Sequence, residues 1–127
     1  MDAKKTIMVV DDNPDLVAIL ETLLLAKGYN VVTAGSGPEL LSLLQDHRPD
    51  LILLDIMLPD MDGLELLAGL KGTPDTSSIP VILVTAKIHY TDIMEGYRRG
   101  ADLYITKPFT SKQLLNDINV VLARGRP

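Results

Sequence analysis

Asp11, Asp12, Asp55, Thr85 and Lys107 are polar residues placed at or just beyond the ends of apolar runs. Asp11-Asp12 follow Thr6 to Val10, Asp55 follows Leu51 to Leu54, Thr85 follows Val81 to Val84, and Lys107-Pro108 lie just past Asp102 to Ile105. A carboxylate that closes a run such as Leu51-Ile52-Leu53-Leu54 is largely desolvated, and a buried charge is costly unless it is paired. Brought to one place, three carboxylates repel, each close pair by about 4 kcal/mol at roughly 4 Å and an effective dielectric of about 20. One lysine does not cancel three acids, whereas a divalent cation together with Lys107 does. All-oxygen ligation with few protein ligands suits Mg²⁺, with Mn²⁺ as a substitute, because Mg²⁺ keeps several waters until a phosphate oxygen arrives. Carboxylates, a Lewis-acid metal, an ammonium and a hydroxyl around one point make a site for phosphoryl transfer, where catalysis is mostly positioning and charge stabilisation. In that chemistry Asp55, expected to be the most enclosed acid, is the nucleophile. Asp11 and Asp12 hold the metal directly or through water, and Lys107 and Thr85 take up phosphoryl oxygens.

Each residue also has an ordinary reading. Asn13 with Pro14 is a helix N-terminal signature, and acids beside it favour the helix dipole. Thr85 is a common strand former, and Lys107 can serve as a plain ion-pair partner. The repulsion among the acids is what makes the set more than its members.

The elements that must gather these residues are legible from periodicity. Thr6 to Val10, Leu51 to Leu54 and Val81 to Val84 are continuous apolar stretches, as expected of parallel strands covered on both faces. Asn30 to Thr33 and Asp102 to Ile105 are shorter and more polar, which suits positions nearer the sheet edges. Between them, Leu16, Ile19, Leu20, Leu23 and Leu24 recur at helical spacing after Asn13-Pro14, and Gly28 supplies the stop. A second helix opens at Pro38 and closes before Pro49, a third runs from about Leu64 to Lys71, a fourth from Tyr90 to Arg99, and a fifth from Ser111. The pattern is (βα)₅, an α/β doubly wound sheet. The crevice of such a sheet lies outside the carboxyl ends of its strands, where all five polar residues fall.

Composition narrows the function classes. One domain over residues 1–127 is expected, with about 123–127 as a tail or the start of a linker. The absence of cysteine excludes disulfides, thiolate zinc sites and a cysteine nucleophile, and two histidines do not build a zinc cage alone. The apolar runs are too short to span a bilayer and the start lacks a secretory stretch, so the chain reads as cytosolic, with no membrane partner. Twelve basic against seventeen acidic residues give a net charge of -5 and a pI near 4.8. That balance repels phosphate polyanions, so no direct nucleic-acid contact is expected. His89 reads as surface, His47 as a neighbour of a helix C-terminus, and the stripe Ile88, Met94 and Tyr97 as either core or a partner surface, with helical spacing favouring core.

The groups Val9-Val10-Asp11-Asp12, Leu54-Asp55 with Leu58-Pro59-Asp60-Met61-Asp62-Gly63, Val84-Thr85-Ala86, and Gly100-Ala101-Asp102 leading to Lys107-Pro108-Phe109 stand in one order. In these motifs, and across essentially its whole length, the chain resembles the receiver domain of a two-component response regulator of the chemotaxis-regulator-like family. The resemblance implies a flavodoxin-like five-stranded parallel sheet in the order 2-1-3-4-5. It also implies that a histidine kinase or phosphotransfer protein passes a phosphoryl group to Asp55 as an acyl phosphate. The backbone carbonyl of Met57 is implied as a metal ligand, the Lys107-Pro108 bond as cis, and Thr85 and Tyr104 as the hydroxyl and aromatic switch positions. The chain would then be a signalling phosphoacceptor, not an enzyme on other substrates, catalysing only its own phosphorylation and dephosphorylation.

Movement of the Thr85 hydroxyl toward a phosphoryl oxygen would vacate space for Tyr104 beside strand five. The expected output surface is therefore helix four, strand five and helix five, for an output protein or domain or for phosphorylation-dependent homodimerisation. Helix five carries few charges at its outer positions Gln113, Asn116 and Asn119, so resemblance to receivers that dimerise to drive DNA-binding domains is poor. Three other readings fit less well. A degenerate receiver would not need the intact acids, Thr85 and Lys107. A flavin site wants a phosphate loop that Asp11-Asp12-Asn13 would repel. An aspartate-based phosphatase needs a second acid near the nucleophile, which Ile56 and Met57 do not offer.

Overall fold

The computed structural model describes residues 4–87 and 89–124. In chain order its elements are β1 Thr6–Val10, α1 Pro14–Ala26, β2 Asn30–Ala34, α2 Gly37–Leu43, β3 Leu51–Leu54, α3 Gly63–Gly72, β4 Val81–Thr85, α4 Tyr90–Arg98, β5 Leu103–Thr106 and α5 Ser111–Arg124. The strands are parallel and ordered β2-β1-β3-β4-β5. This is the expected doubly wound (βα)₅ sheet, with its two more polar strands at the edges.

Because side chains alternate across a strand, each strand feeds two cores. Met8, Val10, Ile52, Leu54, Val81 and Leu83 point to one face, where Leu40 of α2 and Leu66, Leu67 and Leu70 of α3 cover them. Ile7, Val9, Leu51, Leu53, Ile82 and Val84 point to the other, against Leu20 and Leu24 of α1 and Leu114, Ile118 and Val121 of α5. This two-sided burial is why the central strands read as unbroken apolar runs. Asn13 caps α1 by accepting from the N–H groups of Asp15 and Leu16, Pro14 fills its first turn, and Gly28 (φ 93°) ends it. Gly100 (φ 106°) closes α4 in the same left-handed conformation.

Several boundaries differ from the sequence reading. β4 runs on to include Thr85, and β5 is shifted one residue to Leu103–Thr106. α2 ends at Leu43, well short of Pro49. The N–H groups of Gln45 and Asp46 donate three residues back, to Ser42 and Leu43, and the His47 ring lies 3.1 Å from the Leu43 carbonyl oxygen, so the chain tightens onto the helix end instead of extending it. Met94 and Tyr97, whose spacing favoured core over a partner surface, are each 42 % exposed. The line of α4 that meets the sheet is the one through buried Gly96, which leaves Met94 and Tyr97 on the outer side. Ile88 of the same stripe lies outside the described residues. Ala123 and Arg124, expected in a tail, belong to α5, and the remaining residues 125–127 lie outside the described residues.

Two glycines in α3 separate steric need from its absence. A Cβ on Gly63 would sit 2.2 Å from the Cα of Ile56, whereas one on Gly69 meets nothing within 4 Å. Gly63→Ala must therefore displace the β3–α3 backbone and should lose about 1–3 kcal/mol or more. Gly69→Ala should gain about 1 kcal/mol, since alanine is the better helix former. Urea denaturation of the two variants checks both signs.

Candidate functional site

The strand register carries the polar residues to one edge of the sheet. Val10 is level with Leu54, Leu54 with Leu83, and Thr85 with Thr106. The residues that follow are anchored by the neighbouring strand: the Asp11 N–H donates to the Ala34 carbonyl at 3.1 Å, that of Asp55 to Val10 at 3.0 Å, and that of Lys107 to Thr85 at 2.9 Å. Each buried acid then divides its oxygens. Asp11 accepts the N–H of Asn13 on Oδ1 at 2.9 Å, and Asp55 accepts that of Met57 on Oδ1 at 2.8 Å. The Oδ2 atoms of both accept from Lys107 Nζ, at 2.8 Å each.

Asp11 is 4 % and Asp55 5 % exposed, so enclosure does not single out Asp55 as the sequence reading expected. Asp12 is exposed. Burial pushes the Asp11 carboxyl above its ordinary range, against the opposing pull of Lys107 and the Asn13 N–H. Desolvation lowers the Lys107 ammonium, but its bonds to Asp11 and Asp55 outweigh that and hold it above its ordinary value. Among the described residues no buried side-chain polar atom lacks a hydrogen-bond partner.

The three carboxylates each bring an oxygen within 4.8 Å of the others. With Lys107 counted, the cluster keeps a net double negative charge. An all-oxygen donor set of that charge fits a hard divalent cation. Met57, half-exposed, follows in the β3–α3 loop, where it forms an isolated antiparallel bridge with Asp62. An open cleft of about 630 Å³ lined by Met57, Pro59 and Lys87 among others flanks this loop. Beside Lys107, Ile19, Leu23 and Phe109 help to line a smaller apolar groove of about 240 Å³.

Thr85 is fully buried, and its Oγ1 accepts the Lys87 N–H at 3.4 Å. Tyr104, half-buried on β5, donates its hydroxyl to the Lys87 carbonyl at 2.8 Å. Burial, with the negative charges of Asp92 and Asp55, pushes its phenol up to about 12. The Lys107-Pro108 peptide is cis, and His89 is exposed at the head of α4 without capping it. Sequence reasoning missed Lys87. It contributes here through its backbone N–H and C=O, which every residue type carries, so no side-chain pattern could have marked it.

Residues 7–119 match the family model of the response regulator receiver domain. The chain belongs to that family. This receiver is 36% identical over 122 residues to the DNA-binding response regulator MtrA of Mycolicibacterium smegmatis, covering 96% of this chain and 52% of that protein. It thus spans about half the length of the curated relatives it matches. Among solved structures, a CheY-like receiver domain protein from Methanospirillum hungatei superposes with a TM-score of 0.91 at 31% identity, over 97% of each chain. The phosphorylated cyanobacterial phytochrome response regulator RcpA superposes with a TM-score of 0.81 at 34% identity, over 94% of this receiver and 91% of that chain. MtrA is named as a DNA-binding regulator, so the relatives this receiver resembles include that class despite the sparse charge on α5. Among the described residues no helix is long and apolar enough to cross a membrane.

The capping and the charge roles of the Asp11-Asp12-Asn13 turn separate by substitution. Asn13→Ala should cost about 1 kcal/mol, because Asn13 holds the α1 cap. Asp12→Asn should leave the metal-free melting temperature unchanged or raise it by relieving repulsion, while weakening Mg²⁺ binding; calorimetry with and without Mg²⁺ checks both. The raised carboxyl of Asp11 binds its proton more tightly folded than unfolded, so its contribution to stability is full at low pH and fades as pH rises through the folded value. Asp11→Asn should remove that slope from the metal-free stability profile.

Proposed function

We propose that this receiver takes a phosphoryl group onto Asp55 from the phosphohistidine of a histidine kinase or phosphotransfer protein. The observation that carries the reading is the Lys107 ammonium, held 2.8 Å from a carboxylate oxygen of both Asp11 and Asp55 at the carboxyl edge of the sheet. An Asp55 carboxylate oxygen forms the new P–O bond as the P–N bond to the donor imidazole breaks, and the imidazole leaves with that electron pair. Lys107 and the Thr85 hydroxyl meet the phosphoryl oxygens, whose charge is nearer -2 than the -1 of the carboxylate they join. Asp11, Asp12, Asp55 and the Met57 carbonyl would hold Mg²⁺, for which Mn²⁺ substitutes, and the ion would neutralise charge on those oxygens. Attack of water at phosphorus restores the carboxylate and releases inorganic phosphate.

The signal leaves through Lys87. When Thr85 Oγ1 turns to the phosphoryl group it gives up the Lys87 N–H, and the carbonyl of that same residue is the one Tyr104 holds. The path therefore runs along backbone in addition to any space that Thr85 vacates. It ends at the face formed by α4, β5 and α5, where Tyr90, Met94 and Tyr97 are exposed at spacings of four and three residues. This face serves an output protein or domain, or a second phosphorylated copy. The groove beside Lys107, with Ile19 62 % exposed at its edge, offers the phosphodonor protein an apolar foothold next to the acceptor. With a net charge of -5, the receiver itself makes no direct nucleic-acid contact.

Incubation with acetyl phosphate and Mg²⁺ should add one phosphoryl group, read by intact-mass spectrometry, and chelation of the metal should abolish it. Equal labelling of Asp55→Asn would overturn the assignment of the acceptor.

A further inference from the structure

Gly96 lies in the last turn of α4, still within the helix, where glycine is less favourable than alanine. Unlike Gly69 of α3, it has a steric reason to be there. A Cβ at Gly96 would lie 2.7 Å from Leu83 Cδ1 and 3.2 and 3.4 Å from Cδ2 and Cε2 of Tyr104, while one at Gly69 meets nothing within 4 Å. The Tyr104 ring thus rests on bare helix backbone, in a space that any side chain at residue 96 would fill. The next residue adds a second tether. Tyr97 accepts the Tyr104 backbone N–H on its hydroxyl oxygen at 3.1 Å, joining α4 to the edge strand β5. From this seat the Tyr104 hydroxyl reaches the Lys87 carbonyl.

We propose that Gly96 and Tyr97 are positioning residues for the aromatic switch: Gly96 is the seat that admits the Tyr104 ring against α4, and Tyr97 fixes the strand that carries it. The proposal rests on the phosphoacceptor reading above, to which it adds what sets the resting position of Tyr104. A side chain at residue 96 crowds the ring, which must give by at least a few tenths of an ångström, and loosens its hold on Lys87. The switch is then set in one position before any phosphoryl group arrives.

The test follows the Tyr104 phenol by ¹³C NMR of tyrosine-labelled protein without metal, assigned with Tyr104→Phe. The charged groups facing the ring are Asp92 of α4, which Lys87 approaches to 3.9 Å, and Asp55 at the end of β3. In Gly96→Ala the phenol should fall from about 12 toward the ~10 of a free tyrosine, a gain in acidity of up to about 100-fold. Gly69→Ala should leave it unmoved. Tyr97→Phe should keep the ring seated but speed hydrogen exchange at the Tyr104 amide. A folded Gly96→Ala protein with an unchanged phenol would overturn the proposal. Should Gly96→Ala fail to fold, Gly96→Ala/Tyr104→Ala decides: recovery of folding assigns the conflict to the ring and supports the seat, and continued unfolding assigns it to Leu83 and overturns the seat. In a second arm, fluoroberyllate with Mg²⁺ should shift the Lys87 and α4 amides in the wild type and markedly less in Gly96→Ala. Because the ionisation is read without metal or mimic, a wild type that takes up no fluoroberyllate refutes the phosphoacceptor reading alone, and an unmoved phenol refutes the seat alone.

Discussion

A single ammonium shared by two buried carboxylates is the interaction on which the site depends. Lys107 reaches 2.8 Å from both Asp11 and Asp55, which come from different strands and are both almost wholly enclosed. Neither acid could remain charged there alone, since burial without a partner costs more than the fold can spare. One positive charge for two acids, with Asp12 close by, leaves the cluster short of neutrality. That deficit makes a divalent cation welcome, and only with such a cation bound would the site cease to repel an incoming phosphoryl group.

The opposite edge of the sheet uses carboxylates for a different purpose. There Asp50 accepts the Thr6 N–H at 2.7 Å, and Asp102 accepts both the Val81 N–H at 2.8 Å and the Lys71 ammonium at 3.1 Å. Lys71 also donates to the Ile79 carbonyl at 2.8 Å. Each of these acids bonds through its Oδ2 alone, to backbone and in Asp102 also to one lysine, and among the described residues they form no cluster of like charge. The amino edge is thereby tied to the backbone, while the carboxyl edge keeps a net double negative charge. Chemistry sits where hydrogen bonds are complete but negative charge is left in excess, and the other edge ties the strands together.

The sequence made the sheet and the five polar residues legible because burial on two faces leaves strong traces: unbroken apolar runs, helical repeats, and charges stranded at their ends; the strand order came only from the family resemblance. Asn13 as cap and Gly28 as stop were equally plain, since their roles need particular side-chain chemistry or none. What escaped was set by packing across elements. α2 shortened because residues 44–47 fold back onto its end, which no local pattern announces. Met94 and Tyr97 look like core by spacing, yet the contact line of α4 runs through a glycine, which carries no hydrophobic signal. Lys87 acts through its peptide groups. The two acids are alike in burial, so their distinction comes from which loop follows each, not from depth.

The strand register has a consequence for how the length of this chain can change. Each strand end that carries a working residue is level with its neighbour, Val10 with Leu54 and Thr85 with Thr106. A residue inserted within any of these strands would turn every following side chain to the opposite face. It would exchange the two cores and aim the terminal acid or hydroxyl into a helix. Insertions and deletions are therefore confined to the connections, and the strands form a frame of fixed length. Substitution can alter the tempo of the site, but indels inside the frame destroy its aim.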